Sequence, residues 1–552
     1  MNVCAAKYAR MIRAGLIVST LYWGGLLIPP VEAGPGGAEE VDVAALRARL
    51  TPIVDRVEQL AGTDDLLDTL HFGWFDRPYA RTTLAILVKT TSTLQREVRL
   101  RERQSGAIPD GTVAKMLDWA EDAVQRVSAP YETTTFRPHR LRVTGSDLAT
   151  ASPTPALYGM IDCSTATRYD PTFGDLDLAA ALGFRLYPRL EREAVSGEPG
   201  QSFVERANSL GMATVVITSA PAADDAESVP ESVSLSYQSA STGHALFVRP
   251  MSLRQILSSA DAVSDRPGQT TGLTDPPSGE SWASSLARRA LARGAFGKDR
   301  YVVDGWTAPC GSAGDAADTA AAMWVHALDG QSLGLIRGWR DLRDGSGSPY
   351  ASLMTTPDRV EAIAYTALDL IRLGKYVAPF RSNPRVAIAV GPDAVDSRDN
   401  NRWAAWIEPI WTGLLDRQID FDVVPLNSNN ENLAQRYSAV FPAGAMDAED
   451  RESFFARLDR ALAADRDHSR RMVVQEAKGG IAANVFLREG RTPDDRPCIA
   501  LANLSNQPRQ LVLAGKTKLG TVHDVIANVR IANPRKDITL APWQVRLLWP
   551  TD

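Results

Sequence analysis

Tyr301-Val302-Val303-Asp304-Gly305-Trp306 begins a stretch that ends on Leu333-Gly334-Leu335-Ile336-Arg337-Gly338-Trp339-Arg340-Asp341, with Ala320-Ala321-Ala322-Met323-Trp324-Val325-His326-Ala327-Leu328 between them. The outer pieces are short and apolar, as buried strands are. The middle, residues 317–328, is long enough and rich enough in Ala, Met and Leu for a helix. Strand, helix, strand predicts parallel pairing, because the crossover helix returns the chain to the same end of the sheet. The alternation extends upstream. Ala156-Leu157-Tyr158-Gly159-Met160-Ile161 reads as a first strand. Gly183-Phe184-Arg185-Leu186-Tyr187 follows a helical run at 176–182, and Ala213-Thr214-Val215-Val216-Ile217 follows another at 203–210. Residues 232–238 and 244–249 read as a hairpin around Ser239-Ala240-Ser241-Thr242-Gly243. With no dinucleotide fingerprint in the repeat, residues 150–380 are expected to form a (β/α) TIM-type barrel.

Working outward, residues 40–138 read as an α-helical N-terminal domain. Leu46, Leu50, Ile53, Val57 and Leu60 recur at helical spacing, and Thr51-Pro52 is expected to restart or kink that helix. A second helix is expected over 81–103. A third is expected after a Thr112 cap, with Met116, Ala120, Val124 and Val127 inward. Beyond the barrel, residues 384–466 carry three short strands and two helical runs, a small α/β domain of flavodoxin or glutaminase type. Residues 472–552 hold short alternating strands, the texture of a β-sandwich. The chain as a whole is therefore expected to be multi-domain α/β.

The N-terminus reads as an export signal. Lys7, Arg10 and Arg13 precede an apolar run over 14–28, and Val31-Glu32-Ala33 offers small residues where a signal peptidase reads. Fifteen residues are too few to span a bilayer, so no stable membrane insertion is expected once residues 1–33 are removed. The expected location is periplasmic or extracellular. Removal would shift the net charge from −6 to about −8. A mildly acidic chain without a basic tract argues against nucleic acid as partner. Past the leader, Cys163, Cys310 and Cys498 remain, an odd number whose simplest arrangement is one pair and one buried thiol.

Glycoside hydrolysis requires two carboxyl groups flanking the scissile bond, one to protonate the leaving oxygen and one to attack or to activate water. In a barrel such groups belong at C-terminal strand ends. Asp304, after Val302-Val303, and Asp341, after Trp339-Arg340, are the catalytic candidates. Helix capping and an ion pair with Arg340 or Arg343 are the ordinary alternatives for the two. Asp162 and Glu191 also follow expected strands. Trp306, Trp339 and Tyr187 lie at or near strand ends, where rings stack on sugar faces, and Arg340 suits a hydroxyl or Asp304 itself. Trp324, mid-helix among alanines, is expected in the core. Gly330-Gln331-Ser332-Leu333-Gly334 spells a hydrolase elbow but has a helix before it and a strand after, the reverse of that motif. The histidines show no metal-ligand spacing, and no cofactor is expected. Asn503-Leu504-Ser505 spells a glycosylation triplet.

The order of these units, and the stretch 301–341, resembles the β-galactosidase-like enzymes of glycoside hydrolase family 42. The resemblance implies a strand ending in the nucleophile at Asp304, a helix holding Met323-Trp324, and a later strand ending in Trp339-Arg340. Residues 357–376 match the helix that leaves the barrel, and 385–442 the small α/β trimerisation domain. It further implies a carbohydrate substrate and a homotrimer. Two differences stand out. Asp304 occupies a position that is glutamate in the family, and there is no Asn-Glu pair at a fourth-strand end for the general acid. The alternative reading is a non-catalytic carbohydrate-binding or assembly protein on a degenerate barrel.

Overall fold

A computed structural model describes residues 42–61, 78–104, 108–128, 157–160, 178–184, 186–190, 212–217, 232–240, 243–251, 269–273, 302–307, 316–329, 331–337, 355–380, 386–390, 409–425, 437–443, 448–464, 472–515, 519–536 and 538–551, with single positions 106, 290, 384 and 433. The leader, Cys163 and Cys310 lie outside these residues.

Three helices come first: α1 (Val43–Ala61), α2 (Pro78–Glu102) and α3 (Asp110–Ser128). Leu46, Leu50, Ile53 and Val57 of α1 are buried against Leu84, Leu87, Leu94 and Val98 of α2 and Val113, Met116, Leu117 and Ala120 of α3. The predicted periodicity is thus the packed face. Pro52 does not restart α1, which runs unbroken across it. The helix α3 starts two residues before Thr112, and the Pro109 carbonyl accepts the Thr112 and Val113 amides.

Eight strands then pair in one closed order: β1 (Leu157–Met160), β2 (Leu186–Leu190), β3 (Ala213–Ile217), β5 (Gly243–Met251), β4 (Ser232–Ala240), β6 (Gln269–Leu273), β7 (Val302–Thr307) and β8 (Gln331–Arg337), back to β1. All neighbours are parallel except β4, which runs antiparallel to β5 and β6 as the hairpin signal requires. The second strand begins later than the sequence predicts. Gly183, at φ 81°, closes the preceding helical turn, with its amide on the Ala180 carbonyl and the Phe184 amide on that of Ala179. Gly183 and Phe184 therefore belong to the turn, and β2 starts at Leu186. Between β7 and β8 runs α4 (Ala316–Leu328), with Trp324 buried as expected. The long α5 (Pro357–Val377) follows β8 and packs on α4 and α2.

A three-stranded parallel sheet, β9 (Val386–Val390) between β10 (Phe421–Pro425) and β11 (Ala439–Ala443), is flanked by helical residues 409–416 and by α6 (Ala448–Ala464). All five residues of β9 are buried, as a central parallel strand requires.

The C-terminal region stacks two antiparallel sheets. One has the order β12 (Val473–Glu476), β15 (Arg509–Ala514), β18 (Ile538–Leu540). The other runs β13 (Val485–Arg491), β14 (Pro497–Asn503), β19 (Val545–Pro550), β16 (Val522–Asp524), β17 (Val529–Ile531). The inner strands of the five-stranded sheet are buried on both faces, while the edge strand β17 is exposed. Val485, Leu487, Ile499, Leu501 and Leu548 fill the space between the sheets. The alternate residues Phe486, Cys498, Ala500, Ala502, Val545 and Leu547 join a core shared with α4, α5 and β9. That double burial is why Cys498-Ile499-Ala500-Leu501-Ala502 is a continuous apolar run rather than an alternating one. Contact is close enough at Gly490 that a Cβ would lie 2.7 Å from the Pro379 carbonyl oxygen.

Candidate active site

Asp304 is the third residue of β7, not its last. The strand continues through Gly305, Trp306 and Thr307 because these pair with Leu335, Ile336 and Arg337 of β8. On its other side Asp304 pairs with Leu273, the final residue of β6, so it stands at the strand end on that side alone. Tyr187 is the second residue of β2, three residues before its end. Asp162, Glu191, Trp339, Arg340 and Asp341 lie outside the described residues. Covalently, Asp162 is two residues past Met160, Glu191 directly follows Leu190, and Trp339 to Asp341 are two to four residues past Arg337. Those three strand ends lie at one end of the circuit, since β8, β1 and β2 are mutually parallel. Whether Asp341 faces Asp304 is outside the described residues.

Residues paired across neighbouring strands share a face of the sheet, and so do residues two apart on one strand. Followed round the circuit, these rules divide the strands into two rows. One holds Leu157, Leu186, Leu190, Val215, Ile217, Leu246, Val248, Val233, Leu235, Val303, Leu333 and Leu335. The other holds Asp304, Trp306, Tyr187, Arg189, Arg249, Gln238, Gln269 and the serines 232, 234 and 236. The first row also holds Tyr237, Ser239, His244, Thr270, Thr307 and Arg337. The second also holds Met160, Val216, Phe247, Met251, Leu273 and Ile336, and carries all three of the candidates that fall in strands. Arg189 and Arg249 lie on that face as well, a relation that only the pairing reveals.

The circuit is braced by ion pairs and hydrogen bonds on its flanking helices. Asp329, directly after α4, is 3% exposed and pairs with Arg488 of β13, whose other arm pairs with Asp420 just ahead of β10. One guanidinium thus ties the β7–β8 crossover to both C-terminal units. Gln418, in the left-handed conformation at φ 54°, closes the helix at 409–416. Its side chain accepts from the Val474 amide and donates to the Val474 carbonyl, each at 2.7 Å. On the opposite flank Glu361 of α5 receives Arg126 through two hydrogen bonds of 2.8 and 3.0 Å, along with the Thr83 hydroxyl and the Trp119 indole. Burial and then the Glu361 charge push the Tyr365 phenol upward. Burial disfavours the Arg126 cation, yet its bonds to Glu361 outweigh this and raise it. The buried Asp369 carboxyl is raised by desolvation, against the lowering effects of Arg372 and of the Tyr79 hydroxyl. These are structural clamps between helices.

The glycosylation triplet is closed to modification: Asn503 is fully buried, and its amide nitrogen donates to the Gln507 and Ala541 carbonyls at 2.7 and 2.9 Å. Among the described residues, no group of His, Cys, Asp or Glu is arranged to hold a metal ion, and no helix is long and apolar enough to cross a membrane.

No protein-family model and no curated protein matches the chain. Among solved structures it is similar to an exo-carrageenase of glycoside hydrolase family 42 from Bacteroides ovatus, with a TM-score of 0.51 at 8% identity, over 92% of this chain and 99% of that one. It also matches β-galactosidases from Rahnella sp. R3 (TM-score 0.36, 10% identity, 63% and 65% of the two chains) and from the psychrophilic Marinomonas ef1 (0.30, 11%, 70% and 70%). The first likeness shows a multi-domain α/β fold resembling family 42 over most of the chain.

Proposed function

We propose that this chain is an exported glycoside hydrolase that cleaves an oligo- or polysaccharide at a site built round Asp304. The observation that carries the reading is the sheet face shared by Asp304, Trp306 and Tyr187 in a closed circuit of strands. Its register supports a (β/α)-type barrel. The row from Trp306 runs through Ile336, Met160, Tyr187 and Thr214 to Ala245. The row ending at Val302 runs back through Thr271 and Ser234 to Arg249. Ala245 lies four residues before Arg249 and Val302 four before Trp306, so the circuit is sheared by about eight residues, the value of (β/α)8 barrels. The likeness to an exo-carrageenase fold supports the same class of chemistry.

In this reading the N-terminal 33 residues direct export, and units 40–138, 150–380, 384–466 and 472–552 assemble as a trimer. Asp304 attacks the anomeric carbon or activates water. Asp341, Asp162 or Glu191 protonates the leaving oxygen, and Trp306, Tyr187 and Trp339 stack on the sugar, with Arg340 on a hydroxyl. The rival reading is a carbohydrate-binding protein without catalysis. It is favoured by Asp304 being the one carboxylate on that face among the described residues. Reducing-sugar release from a panel of polysaccharides and aryl glycosides decides between them. Asp304→Asn is expected to lower release by more than about 10³-fold with binding retained. Saturable glycan binding with no release from any substrate would establish the binder instead.

A further inference from the structure

Among the described residues, the hydrophobic cores divide the chain unevenly. One cluster joins α4 and α5 to β9, β10 and the strands β13, β14 and β19, so the circuit and both C-terminal units are fastened by apolar contact. A second cluster, from Leu46 to Val127, draws all its buried members from α1, α2 and α3. Of the buried hydrophobic residues on these three helices, Ile86 alone belongs to the first cluster, and the half-buried Trp119 packs against both. What faces α5 instead is largely polar. Glu361, Tyr365 and Asp369 recur every four residues along α5 and so form one stripe. Glu361 receives the Arg126 guanidinium of α3 at 2.8 and 3.0 Å and the Trp119 indole at 3.3 Å. The Thr83 hydroxyl of α2 lies 2.6 Å from that of Tyr365, and the Tyr79 hydroxyl donates to Asp369. The rings of Tyr79 and Tyr365 meet edge to face, with centres 5.0 Å apart. Beside this ladder, Thr82 donates to the Ala181 carbonyl at 2.8 Å.

Separating such a seam exposes groups that water rehydrates, and each neutral hydrogen bond lost is largely replaced by one to solvent. Separating α1 from α2 and α3 would instead expose Leu46, Leu84, Met116 and their neighbours, an apolar cost with no such compensation. The weakest plane in this half of the molecule is therefore the polar seam, and the three helices can leave it as a body with their own core intact. We propose that α1 to α3 form a docked module that releases reversibly from α5, with Glu361 as its latch. The module is a conformational device that covers and uncovers the Glu361, Tyr365 and Asp369 stripe without unfolding either side. It requires no catalysis at the strand circuit.

Ile86 and Leu87 are neighbours on α2, 3% and 0% exposed, yet they belong to different clusters. Release of the module bares residue 86 and keeps residue 87 covered, whereas melting of α2 or unfolding of the chain bares both. Ile86→Cys and Leu87→Cys are made separately in the full chain and labelled with iodoacetamide at pH 8. Rates are normalised to those in urea, and mass spectrometry of the tryptic peptide 82–89 keeps the native cysteines out of the measurement. The expected result is labelling of Ile86→Cys at least about tenfold faster than of Leu87→Cys. Adding Glu361→Gln should speed the first by a further factor of about ten or more, as loss of a charge-assisted bond does, and leave the second within about twofold. Equal rates at the two positions in the otherwise unaltered chain would overturn the proposal, since α1 to α3 would then open only by losing their own core. That comparison needs no change at Glu361, so misfolding of Glu361→Gln does not blunt it. A folded Glu361→Gln chain with an unchanged rate at residue 86 would overturn Glu361 as the latch.

Discussion

Substitution of Asp329 by asparagine tests the clamp that holds the β7–β8 crossover to the C-terminal units. The Asp329 side chain is 3% exposed and that of Arg488 8%, so both charges are withdrawn from water and depend on each other. Removing one partner of a buried pair costs about 3–5 kcal/mol, because the remaining charge is left without compensation. Arg488 keeps Asp420, at 21% exposure, so the lower end of that range applies, about 3 kcal/mol. Hydrogen exchange read by mass spectrometry localises the loss. Peptides covering α4 and β13 should exchange about a hundredfold faster in Asp329→Asn, which is what about 3 kcal/mol of local opening free energy produces. Peptides of α1 to α3, whose shared core cluster holds no residue of α4 or β13, should be unchanged. Arg488→Met alone should be equally damaging, since it removes the cation shared by two carboxylates. The double variant should fall short of the summed effects by about 2 kcal/mol. Additivity within about 0.5 kcal/mol would refute the coupling, and an exchange rate within about threefold of wild type would refute the buried-pair argument altogether.

Cys498 is buried in the five-stranded sheet, and burial pushes its thiol up to about 12, so at pH 8 it should resist iodoacetamide in the native protein and react only after unfolding. Gly490→Ala puts a methyl group against the Pro379 carbonyl and the Phe380 ring, and should lower stability by about 1–3 kcal/mol, measured as a fall in urea midpoint. Asp524 is fully buried, and desolvation raises its carboxyl above the ordinary range despite the Ile526 and Ala527 amides. Its stabilising contribution is therefore complete below the unfolded value, about 3.9, and is lost as pH rises through the higher folded value. Unfolding midpoints measured from pH 4 upward should fall less steeply in Asp524→Asn than in wild type, and parallel curves would remove Asp524 from the account.

What the sequence determined by itself is what short-range physics decides. Period and composition alone locate α1, α4, β3, β9 and the β4–β5 hairpin, because a buried face must recur every 3.6 or every two residues wherever the chain later packs. The same local reading finds Asp304 and Trp306, which stand two apart on one strand. It misjudges the start of β2, since Gly183 and Phe184 are as apolar as a strand but are spent closing a helical turn, and that turn is visible only through its backbone bonds. Tertiary structure alone decided which residues meet. Arg189 and Arg249 share a sheet face with Asp304 only through strand register, and a one-residue slip would move each to the other face. Arg488 and Asp329 lie 159 residues apart, and no local pattern predicts that a strand of the C-terminal sheet will bury its guanidinium on a crossover helix. Propensity and periodicity are properties of neighbours in the chain. Register and ion pairing are properties of neighbours in space, which are chosen only when the whole core closes.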